Sequence, residues 1–401
     1  MRQTATPAST TVIIAAGATI LAISFGIRSI FGIVLEPLSS DLGWPLATFS
    51  LSLAIQNVMW GVLQPVFGIV ADRLGDRRAL WIGTVAYAAG LALTVVATTP
   101  AGQHLGAGLL IGAGVAGTAF GIVLSVVSRA VPEAQRSRAL GLTAALGALG
   151  QILLPPLAGW LTEAHGWQTA VVVMGLFLLP LAACIPFLRP GAPASTEPAE
   201  PIATMVARAL AHPSYVLLAL GFFVCGFHIA FLTVHFPTYV YETCGSVTLG
   251  GIALAVIGAA NVAGTLIAGE LGQRFPKPYI LSAIYATRAV VILVFISIPP
   301  TPVTVIVFAG AMGLIWLSTV PLTSALVATM FGTRALGTLY GIVFLSHQIG
   351  SFLGVYIGGR VHDAFGNYDA IWYAAIALGV FSAIVHLPVQ ERRWRPDPAA
   401  A

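Results

Sequence analysis

Twelve apolar runs, each about 20 residues long, set the frame for everything else in this chain. A helical run of that length spans the roughly 30 Å hydrocarbon core of a bilayer. In hydrocarbon a single segment satisfies its own backbone hydrogen bonds only as a helix. The runs lie near 11–35, 46–69, 79–98, 104–129, 139–161, 167–188, 213–240, 247–271, 278–298, 302–330, 335–359 and 370–388. They predict an all-α membrane protein of twelve transmembrane helices. Only 8% of the 401 residues are charged, where a water-soluble domain carries roughly a quarter. Too little charge remains to coat a soluble surface, so lipid is the expected solvent. The first run is too long for the apolar region of a secretion signal, and eleven more follow it.

The connections orient the bundle, because Lys and Arg gather on the cytoplasmic side of a membrane. With the N-terminus inside, Arg2, Arg73, Arg77, Arg78, Arg129, Arg136, Arg138, Arg189, Arg208, Arg274, Lys277, Arg334, Arg392, Arg393 and Arg395 all fall inside, fifteen of the eighteen basic residues. The opposite loops carry Glu36, Asp41, Glu163, Glu242, Asp363 and Asp369. The expectation is a multi-pass inner-membrane protein with both termini cytoplasmic. The net charge of +4 is then a topology signal, with no nucleic-acid surface implied. Cys184, Cys225 and Cys244 are scattered, which predicts neither a disulfide framework nor a metal site. No P-loop, zinc motif or soluble catalytic stretch stands out. The chain therefore reads as no enzyme, no ATP-driven pump and no cofactor protein.

The longest break in hydrophobicity runs from Arg189 to His212 and contains PGAPASTEPAEP, too Pro- and Ala-rich to pack. It divides the chain into a six-helix half at 1–188, a cytoplasmic linker at 189–212 and a second six-helix half at 213–401. The halves are similar to one another. RALG opens the fifth run at 138–141 and the eleventh at 334–337. GWLTEAHGWQTA at 159–170 is matched by GRVHDAFGNYDA at 359–370. Secondary transporters are commonly built from such repeats, with the substrate site near the bilayer midplane at the repeat interface.

A charge at the bilayer centre costs about 2.5–3.5 kcal/mol on insertion scales, so it usually faces a wet cavity or a partner. Arg28 in the first run and Arg288 in the ninth are such charges, and all fourteen acids lie at ends, loops or tails. A positive interior favours an anionic substrate, because an arginine fork matches a carboxylate with two hydrogen bonds. It disfavours a proton-coupled exporter of cationic drugs, which would want a buried acid. Arg28 either reads an anion, or snorkels outward or pairs with Glu36. Arg288 either serves substrate or coupling, or joins a structural network with Tyr285 and a neighbouring helix. Weaker polar stripes follow. Gln56, Trp60 and Gln64 recur every four residues, as do His347 and Ser351; His228 and His235 are seven apart, and Asn261 and Thr265 four apart. Trp316 and Thr319 stand in the tenth run and Gln348 beside His347. Each intramembrane His or Gln is either a ligand or an interhelical hydrogen bonder. With no buried acid, proton coupling would need His228, His235 or His347, or a protonated substrate.

Between the second and third runs stands GIVADRLGDRR at 68–78. It resembles the loop signature of the major facilitator superfamily, Gly-x-x-x-Asp-Arg-x-Gly-Arg-Lys, at Gly68, Asp72, Arg73, Gly75 and Arg77; Asp76 stands where the family usually has a base. The stretches GIRSIFGIVLEPLSSDLGW (26–44) and SLAIQNVMWGVLQPVFGIVADRLG (52–75) are similar to bacterial porters of the branch that holds monocarboxylate and oxalate/formate carriers. The resemblance implies the two-half major facilitator fold, a first span that lines the cavity, and a gating role for Asp72 at the cytoplasmic side. Carriers of that branch often have an Arg in span eight, and this run has no mid-span base. GALGQILLPPLAGW at 147–160 matches only partly the Gly-Pro-x-x-Gly-Gly element of many exporters.

The expectation is a monomeric secondary transporter of a small organic anion, carboxylate-like, driven by protons or exchange. Arg28, Gln56, Asn57, Trp60, Asn261, Trp316, His347 and Gln348 are the candidate substrate contacts. Asp72, Arg73, His228, His235 and Arg288 are the candidates for coupling or gating. The alternatives are an exporter of neutral or amphipathic toxic compounds, or a non-transporting membrane receptor on the same fold. The short tails count against a receptor, which usually keeps an added signalling segment.

Overall fold

The computed structural model describes residues 10–131, 133–188, 202–332 and 336–392. Twelve of its helices are long and apolar enough to cross a membrane. They are α1 (Thr10–Asp41), α2 (Leu46–Ala71), α3 (Asp76–Val96), α4 (Pro100–Ala130), α5 (Ala139–His165), α6 (Trp167–Phe187), α7 (Pro213–Cys244), α8 (Val247–Arg274), α9 (Lys277–Ile296), α10 (Pro302–Phe331), α11 (Thr338–Phe365) and α12 (Asp369–His386). Among the described residues there is no strand. The protein is a multi-pass membrane protein. α1 continues well beyond its apolar run, through Pro37, to Asp41. There Asp41 accepts hydrogen bonds from Trp167 Nε1 (3.0 Å) and Gln168 Nε2 (2.9 Å) at the start of α6. Much of the Pro-rich linker, 189–201, lies outside the described residues, but Ile202–Leu210 forms a short helix where an unpacked linker was expected.

By internal contacts the chain forms two units, Met1–Thr196 with Val247–Ala255, and Glu197–Ser246 with Val256–Ala401. The start of α8 thus belongs with the first unit, which the sequence boundary at 212 does not anticipate. The cause is local. Glu163, near the end of α5, accepts the backbone N–H of Thr248 at 2.8 Å and its hydroxyl at 2.5 Å. A carboxylate at a helix N-terminus meets unpaired amides and the positive end of the helix dipole.

Each unit contains the same backbone devices, about 200 residues apart. A Cβ on Gly150 would sit 1.7 Å from the Ala22 carbonyl oxygen, and one on Gly350 would sit 2.0 Å from that of Phe223. Only glycine lets α5 lie against α1, and α11 against α7, at that separation. Gly166 (φ +84°) ends α5 and Gly366 (φ +67°) ends α11, both in left-handed backbone that suits glycine. Pro37 and Pro237 lie inside α1 and α7. Thr99 and Thr301 open α4 and α10, each accepting a backbone N–H on its side chain, with a proline in the first helical position. The fourth helix of each unit is also interrupted. In α4, a π-helical segment at His104–Leu110 is followed by an extended residue, Ala119 (ψ −173°), before the helix resumes at Phe120. In α10 the helix stops at Leu314 and resumes at Thr319. Irregular backbone at membrane depth is tolerated only where protein or a wet cavity satisfies it, and interrupted helices at matching places in two repeats point to binding sites.

Candidate functional site

In the first unit the α4 interruption lies against α1 about one turn before Arg28, where Ser24 meets Thr118 and Phe25 meets Phe120. Arg28 as a whole is half-buried. Its Nη2 donates to Asn57 Oδ1 at 2.5 Å, and its Cζ lies 5.0 Å from the Trp60 ring. Asn57 is aimed by its own amide, which donates to the Leu53 carbonyl at 2.8 Å, so the oxygen end faces the cation. Trp60 Nε1 donates to Gln64 Oε1 at 2.8 Å, which uses the every-fourth-residue spacing of α2. Arg28 Nε is buried and has no hydrogen-bond partner. Phe25 stands one turn earlier on α1, 5.6 Å from Trp60 and 4.8 Å from Phe120 by ring centroids. Phe120 is the first residue after the Ala119 break and is 38% exposed. The result is a cation with an unused donor, touched by an amide and an indole, at the foot of an aromatic wall. Gln56, expected beside Asn57 in this pocket, turns instead to the Ala107 carbonyl of α4 at 2.8 Å. Phe25 and Phe120 carried no polar signal in the sequence; the small-residue run around Ala119 was the available hint.

In the second unit the α10 interruption is stitched from two sides. Arg288, fully buried on α9, donates through Nε (3.0 Å) and Nη2 (2.6 Å) to the Ile315 carbonyl, and through Nη2 to that of Trp316. These are carbonyls that the broken helix no longer pairs in the regular way. From α8, Asn261 Oδ1 accepts the Leu317 N–H at 2.9 Å and the Thr265 hydroxyl at 3.2 Å. Gly264 permits this closeness, since a Cβ there would sit 1.8 Å from the Leu314 carbonyl oxygen. The Arg288 Cζ also lies 5.0 Å from the Tyr285 ring. Arg288, Asn261 and Trp316, three of the sequence candidates, are therefore brought together, with Arg288 and Asn261 holding backbone. The contacts of Arg288 to backbone and to Tyr285 are the kind that a structural network would make.

The histidines divide in the same way. His228 Nε2 donates to the Ala375 carbonyl of α12 at 2.7 Å, and His235 Nε2 to the Val355 carbonyl of α11 at 2.7 Å. His235 Nδ1 also lies 3.2 Å from the Tyr368 hydroxyl. His347 meets side chains instead of backbone. Its Nδ1 lies 3.0 Å from Gln348 Oε1, and its ring stacks with Phe344 and sits 4.9 Å from Phe222.

Comparison with known proteins places this architecture. The family model of the Major Facilitator Superfamily matches residues 17–316 and 218–401. The chain belongs to the major facilitator superfamily. Monocarboxylate transporter 13 of Bos taurus is 26% identical over 89% of this chain and 84% of its own length. The galacturonate transporter of Dickeya chrysanthemi is 30% identical over 34% of this chain and 39% of its own. A bacterial homologue of the human lysosomal transporter Spinster superposes with a TM-score of 0.75 at 15% identity, covering 98% of this chain and all of that one. The nucleoside transporter NupG superposes with a TM-score of 0.76 at 14% identity, over 94% and 99%. The fold is thus the two-half superfamily fold, and the protein is a secondary transporter.

The superfamily loop signature also has a visible physical use here. Gly75 (φ +92°) turns the chain between α2 and α3. Asp76, the residue that departs from the signature, is buried and paired with Arg129 Nη2 of α4 at 2.7 Å, and Arg129 also donates to Ser125. Arg77 donates to the carbonyls of Leu188 (3.1 Å) and Pro186 (2.5 Å), where the end of α6 leaves acceptors unpaired. The loop thus ties α3 to α4 and α6. Arg73 is exposed, and the side chain of Asp72 lies outside the described residues.

Proposed function

We propose that this transporter carries a small organic carboxylate across the inner membrane by alternating access, with Arg28 taking the carboxylate. The observation that carries the proposal is the state of Arg28. Within a span, its guanidinium donates to an amide and lies against an indole, both neutral, and its buried Nε has no partner. A carboxylate would supply the countercharge and accept from the guanidinium in the planar geometry that arginine favours. Relatives named for monocarboxylate, galacturonate and hexuronate transport support an acidic substrate. Asn57 holds the guanidinium in place, and Trp60 covers one face. His347, which faces Gln348 and Ser351 more than backbone, is the preferred proton carrier if transport is proton-coupled. The orientation has both termini cytoplasmic, and the unit of transport is the monomer.

The test is uptake of radiolabelled acetate, lactate and galacturonate into proteoliposomes, with and without an imposed pH gradient. Saturable uptake of an acid that fails in Arg28→Gln supports the reading. Proton coupling through His347 predicts that His347→Gln loses gradient-driven accumulation and keeps exchange. A partial relative named Multidrug resistance protein Stp, 30% identical over 36% of this chain, gives the alternative its interest. Uptake of amphipathic cations or neutral drugs, with no acid carried, would replace the carboxylate reading with that exporter.

A further inference from the structure

We infer that the Arg28 site selects carboxylates attached to a flat aromatic ring over short aliphatic acids. The inference rests on the carboxylate reading above and adds the substrate class.

Three aromatic side chains on three helices form a chain of ring contacts that begins at one cation. Trp60 on α2 covers the Arg28 guanidinium at 5.0 Å. Phe25 on α1 joins Trp60 to Phe120, with centroid separations of 5.6 and 4.8 Å and tilts of 60° and 32°. Those distances lie in the range where aromatic rings attract through offset or edge contacts. Phe25 is 5% exposed, while Phe120 is 38% exposed. The position of Phe120 has a backbone cause. The extended Ala119 swings the chain out of helix, and the helix restarts with Phe120 in its first turn. A regular helix through 119 would put that side chain on a different bearing.

The rest of the pocket fixes the wall in place. Trp60 is held by its indole N–H on Gln64. Gln64 in turn lies against Gly121, where an added Cβ would meet Gln64 Nε2 at 2.3 Å. The residue next to Phe120 must therefore be small for Gln64, and hence Trp60, to keep these positions. An acid of two or three carbons would satisfy Arg28 and leave the wall uncovered. An aryl acid would fork its carboxylate on Arg28 and lay its ring against Phe120 and Trp60, burying apolar area on both. Ring stacking contributes about the free energy of a several-fold to tenfold affinity gain, in addition to the area buried.

The experiment measures binding to the purified full chain in detergent by isothermal titration. The probes are benzoate, cyclohexanecarboxylate, acetate and benzyl alcohol. The inference expects benzoate to bind at least tenfold tighter than acetate and several-fold tighter than cyclohexanecarboxylate, which has similar bulk but no π face. It expects benzyl alcohol to bind at least tenfold more weakly than benzoate. In Phe120→Leu, and separately in Trp60→Leu, the benzoate-to-cyclohexanecarboxylate ratio should fall toward one. Phe120→Leu keeps an apolar side chain of similar reach, so loss of preference there reports the ring and not a collapsed site. Acetate binding as tightly as benzoate, or an unchanged ratio in Phe120→Leu, would overturn the aromatic selection and leave the carboxylate reading standing. Benzyl alcohol binding as tightly as benzoate, or no acid binding at all, would overturn the carboxylate reading and this inference with it.

Discussion

The interruption of α10 is held by side chains from two other helices, so removing one of them has a cost that can be worked out. Arg288 places three donor contacts on two carbonyls, Ile315 and Trp316, at a site with no solvent exposure. In Arg288→Met both acceptors lose these donors while remaining buried. Leaving a buried acceptor unpaired costs about 1–3 kcal/mol, so two cost about 2–6 kcal/mol. Removing a buried cation returns part of that, because its desolvation was itself unfavourable by several kcal/mol. The net expectation is a loss of about 2–3 kcal/mol, concentrated at the break. Hydrogen exchange read by mass spectrometry should show faster exchange in the peptide spanning 311–320, together with a lower apparent melting temperature in detergent. Asn261→Leu acts on the same break through the Leu317 amide. The double variant should therefore be non-additive, by about 0.5 kcal/mol or more, as neighbours sharing one structure are. Unchanged exchange at 311–320 in Arg288→Met would refute the stitching argument. Unchanged stability with lost substrate binding would move Arg288 from scaffold to site.

Three further outcomes follow from separate contacts. Gly150→Val should yield little folded protein, because its Cβ would meet the Ala22 carbonyl at 1.7 Å, while Gly141→Ala, where nothing lies within 4 Å, should be tolerated; size-exclusion profiles of the two variants check this. His212, just outside α7, has its pKa pushed below the ordinary histidine value by burial, with Arg392 adding to the effect. The folded protein then binds that proton less readily than the unfolded chain, so its contribution is intact above the unfolded value of about 6.5 and is lost as pH falls from there through the lower folded value. His212→Gln should flatten the acid side of the melting profile, and an unchanged profile would count against the assignment. The orientation proposal expects a cysteine at Ser195, in the linker outside the described residues, to resist membrane-impermeant maleimide in intact cells and to react once the membrane is opened.

Much of the fold was legible because membrane helices announce themselves by length. The run at 167–188 became α6 at Trp167–Phe187, and the run at 302–330 became α10 at Pro302–Phe331. The repeat was also legible, since GWLTEAHG and GRVHDAFG both end on the left-handed glycine that closes a helix. What the sequence did not reveal are departures from regular helix. Beyond the small residues around Ala119, nothing in the apolar text there or around Ile315 distinguishes a broken span from a continuous one. Once a span breaks, polar side chains are drawn to its loose backbone, which is where Arg288 and Asn261 went. Gln56 likewise went to the Ala107 carbonyl, in the π-helical segment of α4. Arg28 could be recognised as a cation in a span, and Asn57 as its neighbour in the pocket. The aromatic wall beside it could not, because Phe25 and Phe120 look like any lipid-facing phenylalanine until the backbone places them.

The central claim is that Arg28 reads the carboxylate of the substrate. It is tested most directly by measuring affinity for the transported acid in well-folded Arg28→Lys and Arg28→Gln proteins, each checked for a native melting profile. Lysine keeps the charge and loses the planar fork, while glutamine loses both. The account predicts weaker binding in Arg28→Lys and near loss of binding in Arg28→Gln, a fall of at least a hundredfold, about 2.7 kcal/mol. Wild-type affinity in a folded Arg28→Gln protein would contradict it.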